Sequence, residues 1–378
     1  MKNHEELLEE RAYWLAWSQI TGVGPVLLRR LQQHFGALAT AWEASPAQLG
    51  QVEGFRGQTV EVMATQRSHI HPAQLLEQHE QENPNFWTPA DSTDYPRLLL
   101  EISSPPPVLY YRGKVQPQEN QGVTPLIGIV GTRNPSEYGR RWTRRISTAL
   151  TRNGFTIVSG LADGIDTEAH RSCLEAGGRT LAVVGTGVDV VYPQRNQGLY
   201  KEILNQGLVL SEYPFGTPPD RAHFPARNRI IAGLSRAVVV MEAPTKSGAL
   251  ITARFANDFC RDVYVLPGSL DNPRSLGCLG LLSKGAQVIE SENHLLEMLG
   301  AMPQLDLFEP PQIVEQLALP NLAPELKQVL EVLDLESMPF DLIVQQTGMS
   351  AGLVSSGLLQ LELMGLVSQL PGMRYQRC

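Results

Sequence analysis

The sequence is poor in cysteine and aromatic residues and has no long apolar run. Its four cysteines, Cys173, Cys260, Cys278 and Cys378, are scattered without a Cys-x-x-Cys pair. That fits neither a disulfide framework nor a zinc site. No stretch of about 18 apolar residues occurs, so no membrane-spanning helix is expected. The chain begins Met1-Lys-Asn-His-Glu-Glu6 and continues with leucines and further acids, unlike the basic start and apolar core of a signal peptide. Together these absences point to the cytoplasm. Chemistry-bearing signatures are also missing. There is no Walker A sequence, no complete Gly-x-Gly-x-x-Gly and no Gly-x-Ser-x-Gly elbow. His69, His71 and His79 cluster without obvious partner carboxylates. No catalytic residue, metal ligand or cofactor is therefore assigned.

With 42% hydrophobic residues in 378, the chain has apolar mass for a sizeable core and length for two or three domains. Net charge is −8, but unevenly spread. Residues 1–85 carry 6 basic and 10 acidic side chains, residues 86–300 carry 22 and 20, and residues 301–378 carry 3 and 9. An anion site belongs in the middle segment, and its attraction must be local because the field of the whole molecule repels anions.

Residues 1–85 read as short helices broken by two glycine turns, Ile20-Thr-Gly-Val-Gly-Pro25 and Leu49-Gly-Gln-Val-Glu-Gly-Phe-Arg-Gly57. They resemble paired helix-hairpin-helix units, in which turn N–H groups can hold a phosphate. Equally, the glycines can simply end helices. Residues 86–300 alternate apolar strands, expected at 126–130, 156–159, 180–185, 208–211, 237–241 and 263–266, with helical stretches. This repetition predicts an extended Rossmann-like parallel sheet covered on both faces. Ligands of such sheets bind at the carboxyl ends of the strands. Residues 301–324 contain five prolines and read as a linker. Residues 325–378 read as a winged helix, with helices at about 324–335, 340–346 and 351–364 and a hairpin over 367–375.

The expected strands run into small turns: Gly131-Thr-Arg133, Ser159-Gly160, Gly185-Thr-Gly187, Thr245-Lys-Ser-Gly248 and Pro267-Gly-Ser269. Backbone N–H groups and helix starts gathered at one sheet edge suit an oxyanion, and several such turns suit several phosphates. Arg133 and Lys246 stand in two of them. The segment Phe224-Pro-Ala-Arg227-Asn228-Arg229 opens an apolar helix. Its arginines can clamp phosphates bidentately, or they can pair with Asp163, Asp166 or Glu212 and brace the sheet. Asn228 offers a hydrogen bond to backbone or base. Phe224, and with it Phe215 or Tyr192, offers a stacking face for an unpaired base. Arg140, Arg141, Arg144 and Arg145 lie on the first sheet helix and read as a solvated face, with a secondary DNA track or a subunit contact as the alternative. Asp163 and Asp166 read as caps for the following helix.

The ordered set Val130-Gly-Thr-Arg133, Ser159-Gly-Leu-Ala-Asp-Gly-Ile-Asp166, Gly185-Thr-Gly187, Tyr192-Pro193, Ser211-Glu-Tyr-Pro214, Phe224-Pro-Ala-Arg-Asn-Arg-Ile-Ile-Ala-Gly-Leu-Ser235, Lys246-Ser-Gly-Ala-Leu-Ile-Thr252 and Pro267-Gly268 resembles the core of the DprA/Smf (DNA-processing protein A) family over about residues 86–300. The resemblance implies an α/β core that binds single-stranded DNA in a basic pocket, forms dimers and loads a RecA-type recombinase during natural transformation. It carries the pocket onto Gly131, Arg133, Ser159, Gly160, Asn228, Lys246, Ser247 and Gly248. One departure is visible: Leu279-Gly280 follows Gly277-Cys278 where the family usually has polar residues. In the winged segment the expected recognition helix has Glu362 as its one charged residue. Groove-reading helices need basic and polar side chains, so protein contact or regulation is expected there. The alternative is a nucleotide-processing enzyme of the lysine-decarboxylase-like phosphoribohydrolase type, but Pro267-Gly-Ser-Leu270 breaks that group's glycine motif.

Overall fold

Alternate residues of the central strands enter different cores. The computed structural model describes residues 4–55, 57–300, 324–333, 338–363, 367–370 and 373–377. In strand β3, which follows β1 (Phe86–Trp87) and β2 (Leu109–Gly113), Leu126 and Val130 join one core while Ile127 and Ile129 join another. The strand Ala237–Val240 divides likewise, Val238 and Val240 against Ala237 and Val239. Such period-2 sorting with every residue apolar means helices on both faces. Helices Glu137–Arg152 and Ile165–Glu175 cover one face. Helices His223–Leu234 and Ala249–Asp258 cover the other. Each buried Ile, Leu or Val contributes roughly 1.5–3 kcal/mol.

The remaining sheet strands are β4 (Thr156–Ser159), β5 (Thr180–Val183), β6 (Leu208–Ser211), β7 (Ala237–Val240), β8 (Asp262–Val265) and β9 (Gln287–Val288). The nine strands run β1-β2-β6-β5-β4-β3-β7-β8-β9. Pairing is parallel from β6 to β9 and antiparallel at β1–β2 and β2–β6. The expected Rossmann-like fold is therefore present. The three strands outside the sequence reading, β1, β2 and β9, lie towards the edges, where short or half-exposed strands lack a continuous apolar run. Winding reverses between β3 and β7, so the crevice of such a sheet opens beyond their carboxyl ends.

The chain divides into two units, Met1–Leu305 and Asp306–Cys378. The N-terminal helices belong to the first. Ala12, Leu15 and Leu76 share a core with Phe86, Val108, Tyr110 and Val184, across the boundary expected at residue 85. Tyr110 Oη lies 2.9 Å from His79 Nε2. The Glu10 carboxylate accepts from Leu38 N at 2.7 Å and so caps the helix Leu38–Glu43, whose own N-cap is an alanine. Gly22 (φ 87°) and Gly54 (φ 100°) make the two expected turns, a backbone region that other L-residues rarely adopt. In the second unit, helices Pro324–Val332, Phe340–Thr347 and Ala351–Leu363 pack through Leu326, Val329, Ile343, Val354 and Leu358. A three-stranded sheet, β10 (Met338–Pro339), β11 (Val367–Leu370) and β12 (Arg374–Arg377), completes the winged helix. The short β10 was not expected from the sequence. The expected linker, apart from Pro324, and residues 371–372 of the expected hairpin lie outside the described residues.

Candidate nucleic-acid interface

An open cleft of about 730 Å³ lies beyond β3 and β7, at the switch point. Its floor is the turn after β3. Thr132 N donates to the Glu242 carbonyl at 2.7 Å and ties this turn to the end of β7. Gly131 is demanded by the chain itself, since a Cβ there would stand 2.5 Å from Ile165 Cγ1. The turn presents Arg133, whose guanidinium lies over the Phe224 ring at 5.7 Å from its centroid. Phe224 in turn pairs with exposed Tyr192 at 5.4 Å between ring centres. Lys246, Ser247 and Gly248, beyond the end of the neighbouring β7, form a further wall. Ala249 N donates to Ser247 Oγ at 3.3 Å, and Asn228 Nδ2 donates to the Gly248 carbonyl at 3.2 Å and fixes that wall. A Cβ at Gly248 would meet nothing within 4 Å. Arg133 and Lys246 have no ion-pair partner among the described residues.

Helix rotation sorts the Phe224–Arg229 cluster. Phe224, Arg227, Asn228 and Ile231 sit at i, i+3, i+4 and i+7 and line the cleft together. Arg229 is turned away and takes no part in the cleft. It pairs with both Glu212 oxygens at 2.6 and 2.7 Å and donates to the Ser104 carbonyl at 3.0 Å. Of the two alternatives open for Arg229, the bracing one is what the geometry shows. Arg227 borders the cleft but is 4% exposed. Its guanidinium donates to the carbonyls of Gly160 (2.8 Å) and Val183. Burial pushes its pKa down to about 10, against the pull of Asp166, so it remains a cation near neutrality. It therefore supplies field rather than a free clamp.

Ser159 and Gly185 do not reach the cleft wall either. Ser159 is buried, with its hydroxyl donated to the Ile129 carbonyl at 2.6 Å. Gly185 packs beneath Phe224, where a Cβ would stand 3.0 Å from Cδ1, and its carbonyl accepts from His223 Nδ1 at 3.1 Å. Gly160 is covered by Arg227: a Cβ there would lie 2.6 Å from Nη2. Ser159 and Gly185 serve internal packing, and Gly160 borders only a small pocket beside Arg133, Tyr192 and Phe224. Asp163 pairs with Arg195, and the cap of helix Ile165–Glu175 is Gly164. Asp166 instead lies inside that helix, accepts from Gly160 N at 3.1 Å and lines the cleft. Burial raises its pKa against the opposing pull of Arg227.

Arg221 also lines the cleft and was missed in the sequence. Its signal was spacing, one turn ahead of Phe224 and Pro225. The arginine-rich helix face is not merely solvated. Arg140 and Arg144 both approach Glu168, Arg144 Nε at 2.7 Å, and Arg145 pairs with Glu292 at 2.5 Å. Glu242, 1% exposed, accepts from Ser136 N (2.8 Å), Ser136 Oγ (2.6 Å) and Asn272 Nδ2 (3.3 Å). It thereby holds the start of helix Glu137–Arg152. Among the described residues no group of three or more His, Cys, Asp or Glu is placed to hold a metal ion, and no helix is long and apolar enough to cross a membrane.

Fold and cleft define a Rossmann-like α/β protein with a cationic, aromatic-walled crevice at the sheet's switch point and a winged helix in its second unit. The family model for DNA recombination-mediator protein A matches residues 85–300, and that for the DprA winged helix domain matches residues 314–373. Protein Smf of Synechocystis is 55% identical over 97% of this chain and 99% of its own length. Protein Smf of Escherichia coli is 38% identical over 77% of each. The solved DNA processing protein A of Streptococcus pneumoniae is 37% identical with a TM-score of 0.64, covering 75% of this chain and 95% of that one. The Helicobacter pylori protein, solved for its single-stranded DNA binding mode, is 33% identical with a TM-score of 0.50, over 54% and 92%. This chain belongs to the DprA/Smf family of DNA-processing proteins.

Proposed function

We infer that the cleft binds single-stranded DNA without cutting it. The observation that carries this reading is the convergence of Arg133 and Lys246, both exposed and without ion-pair partners among the described residues, on one crevice with stacking faces. Arg133 and Lys246 hold phosphates, Gly131, Ser247 and Gly248 supply backbone approach, Asn228 fixes the Lys246 turn, and Phe224 and Tyr192 receive an unpaired base. Arg221 adds a further cation at the rim. Gly160, Arg227, Ser159, Gly185 and Arg229 support the cleft from behind.

Family membership supports the wider role: a cytoplasmic mediator that protects incoming strands and loads a RecA-type recombinase in natural transformation, acting as a homodimer. In this reading residues 86–300 are the DNA-binding domain, residues 1–85 a helical domain packed on it, and residues 325–378 a winged helix that meets protein rather than duplex. A fluorescent oligo-dT strand and its duplex, titrated at two salt concentrations, test the central claim. Single-strand binding should weaken by about 0.7 log units per neutralised phosphate for each log unit of salt. Lys246→Ala should flatten that slope. Equal binding of strand and duplex, or an unchanged slope, would overturn the assignment.

A further inference from the structure

One side chain on the cleft wall does not suit a phosphate. Asp166 lines the cleft with Arg133, Lys246 and Arg227, yet it forms no ion pair within reach among the described residues. It is buried, and its known partners are two backbone N–H groups, those of Gly160 and Ala162. A carboxylate has about four acceptor sites, so acceptor capacity is left beside the attraction of Arg227 and Arg133.

The neighbours of Asp166 have the chemistry of a base site. Asp166 lines one cleft with Phe224 and Tyr192, and its backbone partners Gly160 and Ala162 border a small adjoining pocket with those two rings and Arg133, which lies over Phe224. The Lys246-Ser247-Gly248 wall offers a cation and a helix start instead. The crevice thus brings cations for phosphates and ring faces for a base together around Asp166.

We propose that Asp166 reads the Watson–Crick edge of a base stacked at Phe224 and favours guanine, an inference that rests on the cleft being the single-strand site. Guanine presents N1–H and the 2-amino group as adjacent donors, which match a carboxylate. Thymine presents one N–H between two carbonyl oxygens, which the carboxylate repels. Cytosine and adenine present an amine beside a bare ring nitrogen, whose lone pair meets the same repulsion.

The test is competition among oligo-dT strands carrying a single internal dG, dI, dA or dC. With wild-type protein the dG strand should bind about tenfold tighter than plain oligo-dT, the scale of one good bidentate base contact. The dI strand, which keeps N1–H and lacks the 2-amino group, should fall between them. Asp166→Asn should bring the dG to dT ratio close to one, with a thermal melt reporting whether the variant folds. If it does not fold, the dG, dI, dT order in wild type decides alone. Equal binding of all strands, or a preference that survives Asp166→Asn, would show Asp166 to be only a counter-charge for Arg227 and would sink the inference. Failure of wild type to bind any strand would overturn the reading of the cleft, and this inference with it.

Discussion

Two regions of the first unit are rich in cations, and they differ in what the cations touch. On helix Glu137–Arg152, Arg140 and Arg144 are drawn to Glu168 and Arg145 to Glu292. Behind the cleft, Arg229 is held by Glu212 and Arg227 by two carbonyls. At the cleft, Arg133 and Lys246 have no such partner among the described residues. The helix has the denser run of arginines, yet three of that run's four are already drawn to carboxylates, and Arg141 lies over the Tyr138 ring. An anion gains most where a positive charge has not been answered by the protein, because displacing a carboxylate costs what the anion would contribute.

This contrast can be broken or sharpened by experiment, beginning with the largest effect. Acid should attack the bracing side first. His170 is fully buried beside Arg227, and burial lowers its pKa from 6.5 to about 3. Thr180 gives its hydroxyl proton to Ile157 O, so His170 Nδ1 must donate to Thr180 Oγ1 at 2.7 Å. The depressed pKa means that stability is full above pH 6.5 and is lost as pH falls towards 3, by on the order of 4–5 kcal/mol. Chemical denaturation at stepped pH measures this loss, and His170→Gln should flatten it.

Breaking one brace should cost nearly as much. Arg229→Leu leaves Glu212 unpaired in a part-buried site and should destabilise by about 3–5 kcal/mol, read by urea unfolding. By contrast, Arg133→Ala with Lys246→Ala should leave stability nearly unchanged and weaken single-strand binding by about a hundredfold or more, since each removes a charged hydrogen bond of about 1.5–3 kcal/mol. Paired melting and binding measurements separate the two classes. If the double variant melts early and binds normally, the contrast drawn here is wrong.

The glycines allow a finer division. Gly131→Ala drives a Cβ into Ile165 and should cost about 1–3 kcal/mol in stability. Gly248→Ala meets open space and should change stability by less than about 0.5 kcal/mol. Its methyl stands where the strand is proposed to lie, so oligo-dT affinity should still fall several-fold. Smallest of all, Arg144→Ala removes a half-exposed partner of Glu168 and should cost no more than about 1 kcal/mol, with no change in DNA affinity.

Much of this could be read without coordinates. The strands at 126–130, 156–159 and 208–211 coincide with β3, β4 and β6, because a strand buried on both faces must be apolar throughout. Edge strands escape that demand, and β1, β2 and β9 were missed for that reason. Gly131, Arg133, Lys246, Ser247 and Gly248, which line the cleft, could be singled out because turns at strand ends carry local signatures. The alternatives for Arg229 stayed open because adjacency in sequence is not adjacency on a helix, where successive side chains point about 100° apart.

By itself, then, the sequence determined the layered α/β architecture, the edge of the sheet at which a ligand belongs and the family. Those follow from hydrophobic period and from short glycine turns, both local properties. Only the tertiary structure decided which cations are spent and which are free, that Asp166 lines the cleft, and that the helical segment shares a core with the sheet. Ion pairs such as Arg229 with Glu212 and Arg145 with Glu292 join residues far apart in the chain. Their existence depends on distances of a few ångströms, which the folded arrangement of several elements sets and no single segment encodes.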